Sequence, residues 1–190
     1  MTKRSIHYEA AFEDYLRARG IPYVATNESR RALSAQVSLK SVDFIFSTSS
    51  GENYLVEVKG KQFPYVRRGG RNYWESWLHR EDISALLEWA RILGPSFKAL
   101  IVYVYHLTNP FDRRVHGPHF ATLHHFRECD YALMGMEAAM FSRLSRLRSG
   151  AWDALDVAVT PLLENLRPFE YFLGVPEVVS LFQPIQNSPK

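Results

Sequence analysis

The segment NYLVEVKG, residues 53–60, combines an acidic and a basic side chain in a mostly apolar stretch. Glu57 and Lys59 are separated by one residue, so both lie on the same face if the segment is a strand. A carboxylate at this position could bind a metal ion, and a neighbouring ammonium group could stabilise negative charge on a phosphate. The same Glu-x-Lys spacing also occurs on ordinary solvent-exposed strands, and the rest of the chain has to distinguish the two interpretations.

A second carboxylate is predicted to lie opposite Glu57. The segment SVDFIF, residues 41–46, has the composition of a strand and is joined to residues 53–60 by the turn-rich segment STSSGEN. If this hairpin turns at the centre of that segment, Asp43 faces Glu57 directly. Two opposed acids destabilise a sheet unless a bound cation or an ammonium group such as Lys59 compensates. Because Mg²⁺ prefers oxygen ligands, the hairpin predicts either a cation site or a salt bridge.

A third acid, Glu9, is predicted on the first helix, over residues 5–19, which Gly20 ends. Glu9 shares its helical face with the apolar Phe12 and Leu16. An inward-facing glutamate needs a partner, because burying an unpaired charge is costly. Alternatively, Glu9 lies at the edge of the apolar stripe and reaches solvent.

The order of the predicted elements is α-β-β-β-α-β. After the first helix come a short strand, the hairpin, a helix at REDISALLEWARIL and an apolar strand at FKALIVYVYHL. This order predicts an α/β fold with a mixed central sheet flanked by helices. We expect a single domain at residues 1–174, with a core at about residues 5–107, a C-terminal extension at 108–174 and a tail at 175–190. Within the extension, HFATLHHF and YALMGM predict a further hairpin, and EAAMFSRLSRLR predicts a basic-faced helix.

Together these positions resemble the PD-(D/E)xK nuclease superfamily, which includes restriction endonucleases and archaeal Holliday junction resolvases. The resemblance rests on a helical Glu9, a strand Asp43 and the motif Glu57–Lys59, in that order on those elements. The superfamily's proline before the aspartate is replaced here by SVD. The resemblance implies a restriction-endonuclease-like core. The segment HYEAAFE, residues 7–13, is also similar to the bacterial family named for its HYExAFE signature, which supplies no substrate.

The resemblance also implies roles for individual residues. Asp43, Glu57 and the carbonyl of Val58 would bind Mg²⁺ or Mn²⁺. Lys59 would position the attacking water and stabilise the developing negative charge. Glu9 would hold a coordinated water or a second cation.

A basic and aromatic segment at residues 61–80 follows the motif and is interpreted mainly as an excursion from the core. Its cations can contact phosphates and its aromatic rings can stack on unpaired bases. The cations predicted to bind nucleic acid are Lys61, Arg67, Arg68 and Arg71, and the resemblance implies that Gln62 contacts a phosphate. The alternative for the arginines is an ordinary solvated face. For Trp74 and Trp77 we favour packing of a short helical turn against the core.

Composition limits the remaining possibilities. Hydrophobic residues make up 46% of the chain, which is enough for a core, and the net charge of +3 is compatible with a polyanionic partner. A single cysteine, Cys129, allows no intramolecular disulfide, so we expect a reducing, cytoplasmic location. No apolar run approaches membrane-spanning length, and we expect no membrane partner. The irregularly spaced histidines at positions 116, 119, 124 and 125 do not predict a zinc site.

The sequence therefore predicts a Mg²⁺- or Mn²⁺-dependent nuclease acting on nucleic acid, with DNA favoured over RNA. The alternative is a non-catalytic nucleic-acid-binding or assembly module that retains the fold. No glycine-rich phosphate loop or nucleophile–base pair supports another class of enzyme. A homodimer is compatible with the resemblance, because resolvase-like proteins are often dimers.

Overall fold

The computed structural model describes residues 4–26, 31–34, 37–66, 72–108, 120 and 122–176. Helix α1 (Arg4–Ala18) ends before Gly20, whose φ of 63° is favourable for glycine at a helix C-terminus. The elements that follow are, in chain order, β1 (Tyr23–Ala25), β2 (Arg31–Ser34), β3 (Val37–Lys40), β4 (Phe44–Ser47), β5 (Asn53–Phe63), β6 (Tyr65–Val66), β7 (Asn72–Tyr73), β8 (Leu78–His79), α2 (Arg80–Leu93), β9 (Phe97–Leu107), β10 (His124–Phe126), β11 (Cys129–Glu137), α3 (Ala138–Leu144), β12 (Arg146–Ser149), β13 (Ala154–Asp156), α4 (Val159–Asn165), β14 (Arg167–Pro168) and α5 (Phe169–Phe172).

The central sheet is mixed, as the sequence predicts. Its strands lie in the order β1-β4-β5-β9-β11-β10, and β14 pairs with β11. Strands β5 and β9 are parallel, whereas β4 and β5, and β9 and β11, are antiparallel. The predicted α/β class is confirmed. The predicted α-β-β-β-α-β order holds for the helices α1 and α2 and the central-sheet strands β1, β4, β5 and β9, whereas β2, β3, β6, β7 and β8 are additional strands outside that sheet. In the described part of the chain, no helix is both long and apolar enough to cross a membrane.

The two faces of the sheet are covered by different helices. On one face, Phe12 and Leu16 of α1 pack in a cluster with Val56 of β5. On the other face, Leu86 of α2 packs in a cluster with Leu55 of β5. Side chains alternate along β5, so the odd-numbered residues from 55 onwards, which include Glu57 and Lys59, face α2.

The predicted hairpin register is confirmed as far as Phe44, but the predicted pair of Asp43 with Glu57 is not part of the observed ladder. Phe46 pairs with Tyr54 and Phe44 pairs with Val56. The regular pairing ends there, and the backbone N–H of Asp43 donates to the carbonyl of Val56 at 2.9 Å. Asp43 therefore lies at the point where β4 leaves the edge of β5.

Two local predictions are corrected by the structure. Strand β5 continues to Phe63 and pairs with β9 over its whole length, so the chain leaves the sheet later than predicted. Residues 74–77 form no helical turn. Trp74 nevertheless packs in the core, with its ring centroid 4.4 Å from that of Phe63. The aromatic ring itself, rather than a helical turn, makes this core contact.

The C-terminal extension contributes strands to the central sheet. The predicted hairpin is present as β10 and β11, and β11 pairs with β9. The predicted basic helix is shorter than expected, because α3 ends at Leu144 and β12 begins at Arg146. Strands β12, β13 and β8 form a separate three-stranded sheet beside α2.

Candidate functional site

Four charged side chains form a closed group under α2, which we call the ion-pair cluster: Lys40, Glu57, Lys59 and Asp82. Oε1 of Glu57 accepts hydrogen bonds from Nζ of Lys40 and from Nζ of Lys59, both at 2.8 Å. Oδ1 of Asp82 accepts from Nζ of Lys40 at 2.6 Å, and Oδ2 of Asp82 lies 2.7 Å from Nζ of Lys59. Each ammonium group thus contacts both carboxylates, and the cluster is electrically neutral.

Three separate elements supply the members of the ion-pair cluster. Glu57 and Lys59 project from the same face of β5 towards α2. Asp82 lies in the first turn of α2, where its Oδ2 also accepts a hydrogen bond from the backbone N–H of His79 at 3.3 Å. Lys40 ends β3, and its carbonyl accepts a hydrogen bond from Nε1 of Trp89 on α2 at 2.8 Å. Helix α2 therefore carries Asp82 itself and holds Lys40 by a hydrogen bond to the Lys40 carbonyl.

The cluster favours the charged forms of Asp82, Lys59 and Lys40. Burial alone would raise the pKa of Asp82, but the ammonium groups of Lys59 and Lys40 outweigh burial and lower this pKa to about 2. Burial would likewise lower the pKa of Lys59, but the carboxylates of Glu57 and Asp82 raise it. The pKa of Lys40 is raised for the same reason. Asp82, Lys59 and Lys40 are therefore each stabilised in the charged form.

Asp43 is held at the edge of β5, next to Val58. Its side chain is 4% exposed, and its Oδ2 accepts a hydrogen bond from the backbone N–H of Val58 at 2.6 Å. The N–H and C=O of one strand residue point to the same side of the strand, so the Val58 carbonyl is directed towards the edge that β4 has just left. The carboxylate of Asp43 and this carbonyl are thus adjacent at the end of β4.

A cavity of about 460 Å³ opens beside the end of β5. Its lining includes the predicted site residues Glu9, Lys59, Lys61 and Gln62, together with Lys40. Of the ion-pair cluster, the two lysines line the cavity, while Glu57 and Asp82 lie behind them. Aromatic walls are supplied by Tyr8, Tyr65 and Trp77. The arrangement presents positive charge to the cavity in front of buried negative charge.

Lys61 is the most buried lysine of this cavity, with 5% of its surface exposed. Its Nζ donates a hydrogen bond to the carbonyl of Trp77 at 2.9 Å and lies 3.8 Å from the centre of the Trp77 ring. Burial lowers the pKa of Lys61 to about 7, with the carboxylate of Glu75 opposing this shift and the charge of Lys59 adding to it. Lys61 therefore exchanges between charged and neutral forms near neutral pH.

Three oxygen donors of β5 and its edge are of types that fit a hard divalent cation. The Asp43 carboxylate and the Val58 carbonyl lie at the edge, and the Glu57 carboxylate lies on the face towards α2. Asp43, Glu57 and the Val58 carbonyl are the ligand types that Mg²⁺ and Mn²⁺ accept, and Mg²⁺ commonly uses one or two carboxylates and keeps several waters. Among the described residues, no three or more His, Cys, Asp and Glu side chains are grouped as metal ligands. The fit to Mg²⁺ or Mn²⁺ rests on the chemistry of these oxygen donors alone.

Several sequence-predicted residues lie elsewhere or outside the described chain. Arg67, Arg68 and Arg71 are outside the described residues, as are the histidines at positions 116 and 119. His124 contacts Asp14 and His125 contacts Asp130, at 2.9 and 3.0 Å. These two histidines are thus engaged by different acids on neighbouring elements.

Sequence reasoning missed Lys40 and Asp82. The position of Asp82 in the sequence could have indicated a buried carboxylate. Asp82 precedes Leu86 by one helical turn on the apolar face of α2, just as Glu9 lies on the apolar face of α1. No sequence feature indicated Lys40, because lysines are common at the ends of strands. Its place in the cluster depends on how β3 lies against α2.

The chain has a similar solved structure but no matching family model. No family model matches the chain and no curated protein matches it, so the HYExAFE-family assignment of residues 7–13 is unsupported. Among solved structures, the chain is similar to Hjc, a Holliday junction resolvase of the archaeal hyperthermophile Archaeoglobus fulgidus. The TM-score is 0.44 and the sequence identity 12%, over 82% of this chain and 88% of Hjc. At this level, the similarity defines neither a family nor an activity for this chain.

Proposed function

We propose that the protein is a metal-dependent nuclease that hydrolyses phosphodiester bonds in nucleic acid, with DNA as the favoured substrate. The observation that carries this proposal is the position of Lys59: it lines the cavity while its Nζ contacts Glu57, on the same face of β5. Glu9 and Gln62, both expected from the resemblance to PD-(D/E)xK nucleases, line the same cavity. The preference for DNA rests on that resemblance.

The proposed cofactor is Mg²⁺ or Mn²⁺, held by Asp43, Glu57 and the Val58 carbonyl. When bound, the divalent cation would lower the pKa of water and offset charge on the scissile phosphate. Glu57 would then share its charge between the cation and the lysines. Lys59 would remain attached to Asp82, which already contacts it at 2.7 Å. Its ammonium group could stabilise negative charge that develops on the phosphate.

The remaining residues would bind the strand or orient water. Gln62 would donate to phosphate oxygen from the end of β5, and Glu9 would orient water from α1. Arg67, Arg68 and Arg71 would bind phosphates further along the strand. A homodimer that presents two such sites to one substrate is part of the proposal.

The proposed mechanism assigns different roles to Lys59 and Asp43. We expect Lys59→Ala to abolish cleavage while the protein stays folded, because Lys40 still compensates Glu57 and Asp82. Asp43→Asn should weaken metal binding as well, because it removes charge next to the cation. The measurements are cleavage of single-stranded, duplex, nicked and branched DNA, and melting temperature, each with and without Mg²⁺ or Mn²⁺.

A matched control is Lys98→Ala, which removes a lysine that is ion-paired with Glu52 at the other end of β5. This variant should cleave like the wild type. Full activity in Lys59→Ala would exclude the mechanism. A large loss of melting temperature in Lys59→Ala that Mg²⁺ does not restore would instead favour a non-catalytic, structural ion pair.

A further inference from the structure

In the ion-pair cluster the ammonium groups lie on the cavity side and the carboxylates on the buried side. A purely structural salt bridge does not require this arrangement. Lys40 and Lys59 face the cavity, and the carboxylates of Glu57 and Asp82 lie behind them with 3% and 6% of their side chains exposed. An anion that enters the cavity would meet two ammonium groups before any carboxylate of the cluster. Glu9 and Glu75 also line the cavity, so the attraction for an anion is local to the wall that Lys40 and Lys59 form.

The two ammonium groups are also held close together. Both contact the same atom, Oε1 of Glu57, at 2.8 Å. Two ammonium groups bound to the same oxygen repel each other, and the carboxylates of Glu57 and Asp82 offset the repulsion. A phosphodiester group has two non-bridging oxygens and could accept a hydrogen bond from each ammonium group.

Asp82 has a role that Glu57 cannot fill alone. Under the proposed function, Glu57 is a ligand of the divalent cation, so its negative charge is shared with that cation. Asp82 uses a separate oxygen for each lysine, Oδ1 for Lys40 and Oδ2 for Lys59. It is fixed in the first turn of α2 by the backbone N–H of His79. Asp82 can therefore hold both lysines at the cavity when Glu57 is engaged.

We propose that Lys40 and Lys59 form a paired-ammonium subsite for a phosphate group of the nucleic-acid strand, and that Asp82 is the positioning residue of both lysines. This inference rests on the proposed function for its substrate class. It adds Lys40, from β3, as a second substrate-contacting cation and gives α2 a part in the site.

The test for Lys40 is the salt dependence of binding to a labelled duplex oligonucleotide in EDTA, where no cleavage occurs. Lys40→Ala should reduce the log–log salt slope by roughly 0.9, the value for one lost phosphate contact on duplex DNA. Lys40→Arg should restore the slope, because it keeps the charge. Lys98→Ala, at the other end of β5, should leave the slope unchanged.

A second variant is the control for effects of Lys40→Ala on folding and on local charge. Lys40→Ala combined with Asp82→Asn removes one positive and one negative charge, so Lys59 and Glu57 remain as a neutral pair. The double variant should show the same loss of slope as Lys40→Ala. A wild-type slope in this folded double variant would overturn the assignment of Lys40.

Asp82→Asn alone tests positioning. Loss of a buried negative charge should leave oligonucleotide affinity in EDTA equal or higher, whereas kcat should fall by ~10–100-fold because the lysines are no longer held in place. A residue with only a structural role would lower melting temperature without separating affinity from kcat. Equal losses of affinity and kcat would therefore overturn the positioning role.

The outcomes separate this inference from the nuclease proposal. If the wild type binds with a slope that depends on Lys40 but cuts nothing, the phosphate subsite stands and the nuclease activity fails. If it binds and cuts with a slope independent of Lys40, the nuclease activity stands and the subsite fails. If no oligonucleotide binds, both proposals fail.

Discussion

At the scale of single residues, successive lysines on one face of β5 have opposite electrostatic properties. Lys59 contacts two carboxylates, and its pKa is raised despite burial. Lys61, two residues further, lies against the face of Trp77, and burial lowers its pKa to about 7. One strand thus presents to the same cavity a permanent cation and a cation that loses its proton near neutral pH.

The low pKa of Lys61 predicts a pH-dependent contribution to stability. Its folded-state pKa of about 7 is below the unfolded value of about 10.4, so between these values the unfolded chain binds a proton that the folded chain lacks. The stability of the wild type relative to Lys61→Met should therefore rise with pH above about 7, by at most roughly 1.4 kcal/mol per pH unit. Urea unfolding of both proteins between neutral and alkaline pH measures this difference.

Lys98→Met is the control for Lys61→Met, because Lys98 lies outside the cavity and about half of its side chain is exposed. The stability difference between this control and the wild type should stay nearly constant over the same pH range. A constant difference for Lys61→Met as well would mean that Lys61 stays protonated in the folded protein.

At the scale of elements, the close approach of α1 to β5 positions Glu9 at the cavity. Gly60 makes this approach possible, because a Cβ at that position would overlap the ring of Tyr8 on α1. Tyr8 directly precedes Glu9, and both residues line the cavity with Gly60. The absence of a side chain at Gly60 therefore sets the distance between the helix and the strand that carries the motif.

Gly60→Ala is expected to destabilise the protein by ~1–3 kcal/mol, because the Tyr8 ring must move away from the new methyl group. Denaturant unfolding measures the change.

A double variant tests the cause. Tyr8→Ala should lower the free energy of unfolding less in the Gly60→Ala background than in the wild type, because removing the Tyr8 ring also removes its overlap with the new methyl group. Gly150→Ala is the matched control: a Cβ there meets nothing within 4 Å, and the change should stay within about 0.5 kcal/mol. Equal stability of Gly60→Ala and the wild type would contradict the packing described here.

Local sequence patterns predicted the elements of the core better than the contacts between them. The α1 boundaries, the β4–β5 register and the buried strand β9 follow from periodicity, turn residues and apolar runs. The partners of Lys59 could not be predicted in the same way. Asp82 and Lys40 come from elements distant in sequence, and they meet only after α2 has packed on the sheet and β3 has packed against α2. The length of β5 was underestimated because its polar end pairs with β9 rather than standing alone.

At the scale of the whole molecule, the C-terminal extension supplies part of both the sheet and the core. Strand β11 pairs with β9 from Leu100 to Leu107, so it covers the side of β9 that β5 does not. Phe169 of α5 contacts Phe12 of α1, with ring centroids 5.1 Å apart. Gly135 of β11 lies under the ring of Phe172. The helix that carries Glu9 is therefore packed partly on the extension.

These contacts predict that the core and the extension unfold together. A fragment of residues 1–108 should lack a cooperative thermal transition, because it exposes the edge of β9 and removes the aromatic partners of α1. Within the full chain, Phe169→Ala should lower the midpoint of one shared transition, with a loss of ~3–5 kcal/mol for a large buried aromatic side chain. Near-UV and far-UV circular dichroism should give coincident curves for this variant. Two separate transitions, or a cooperatively folded 1–108 fragment, would instead make the extension an independent unit appended to the strand that carries the candidate site.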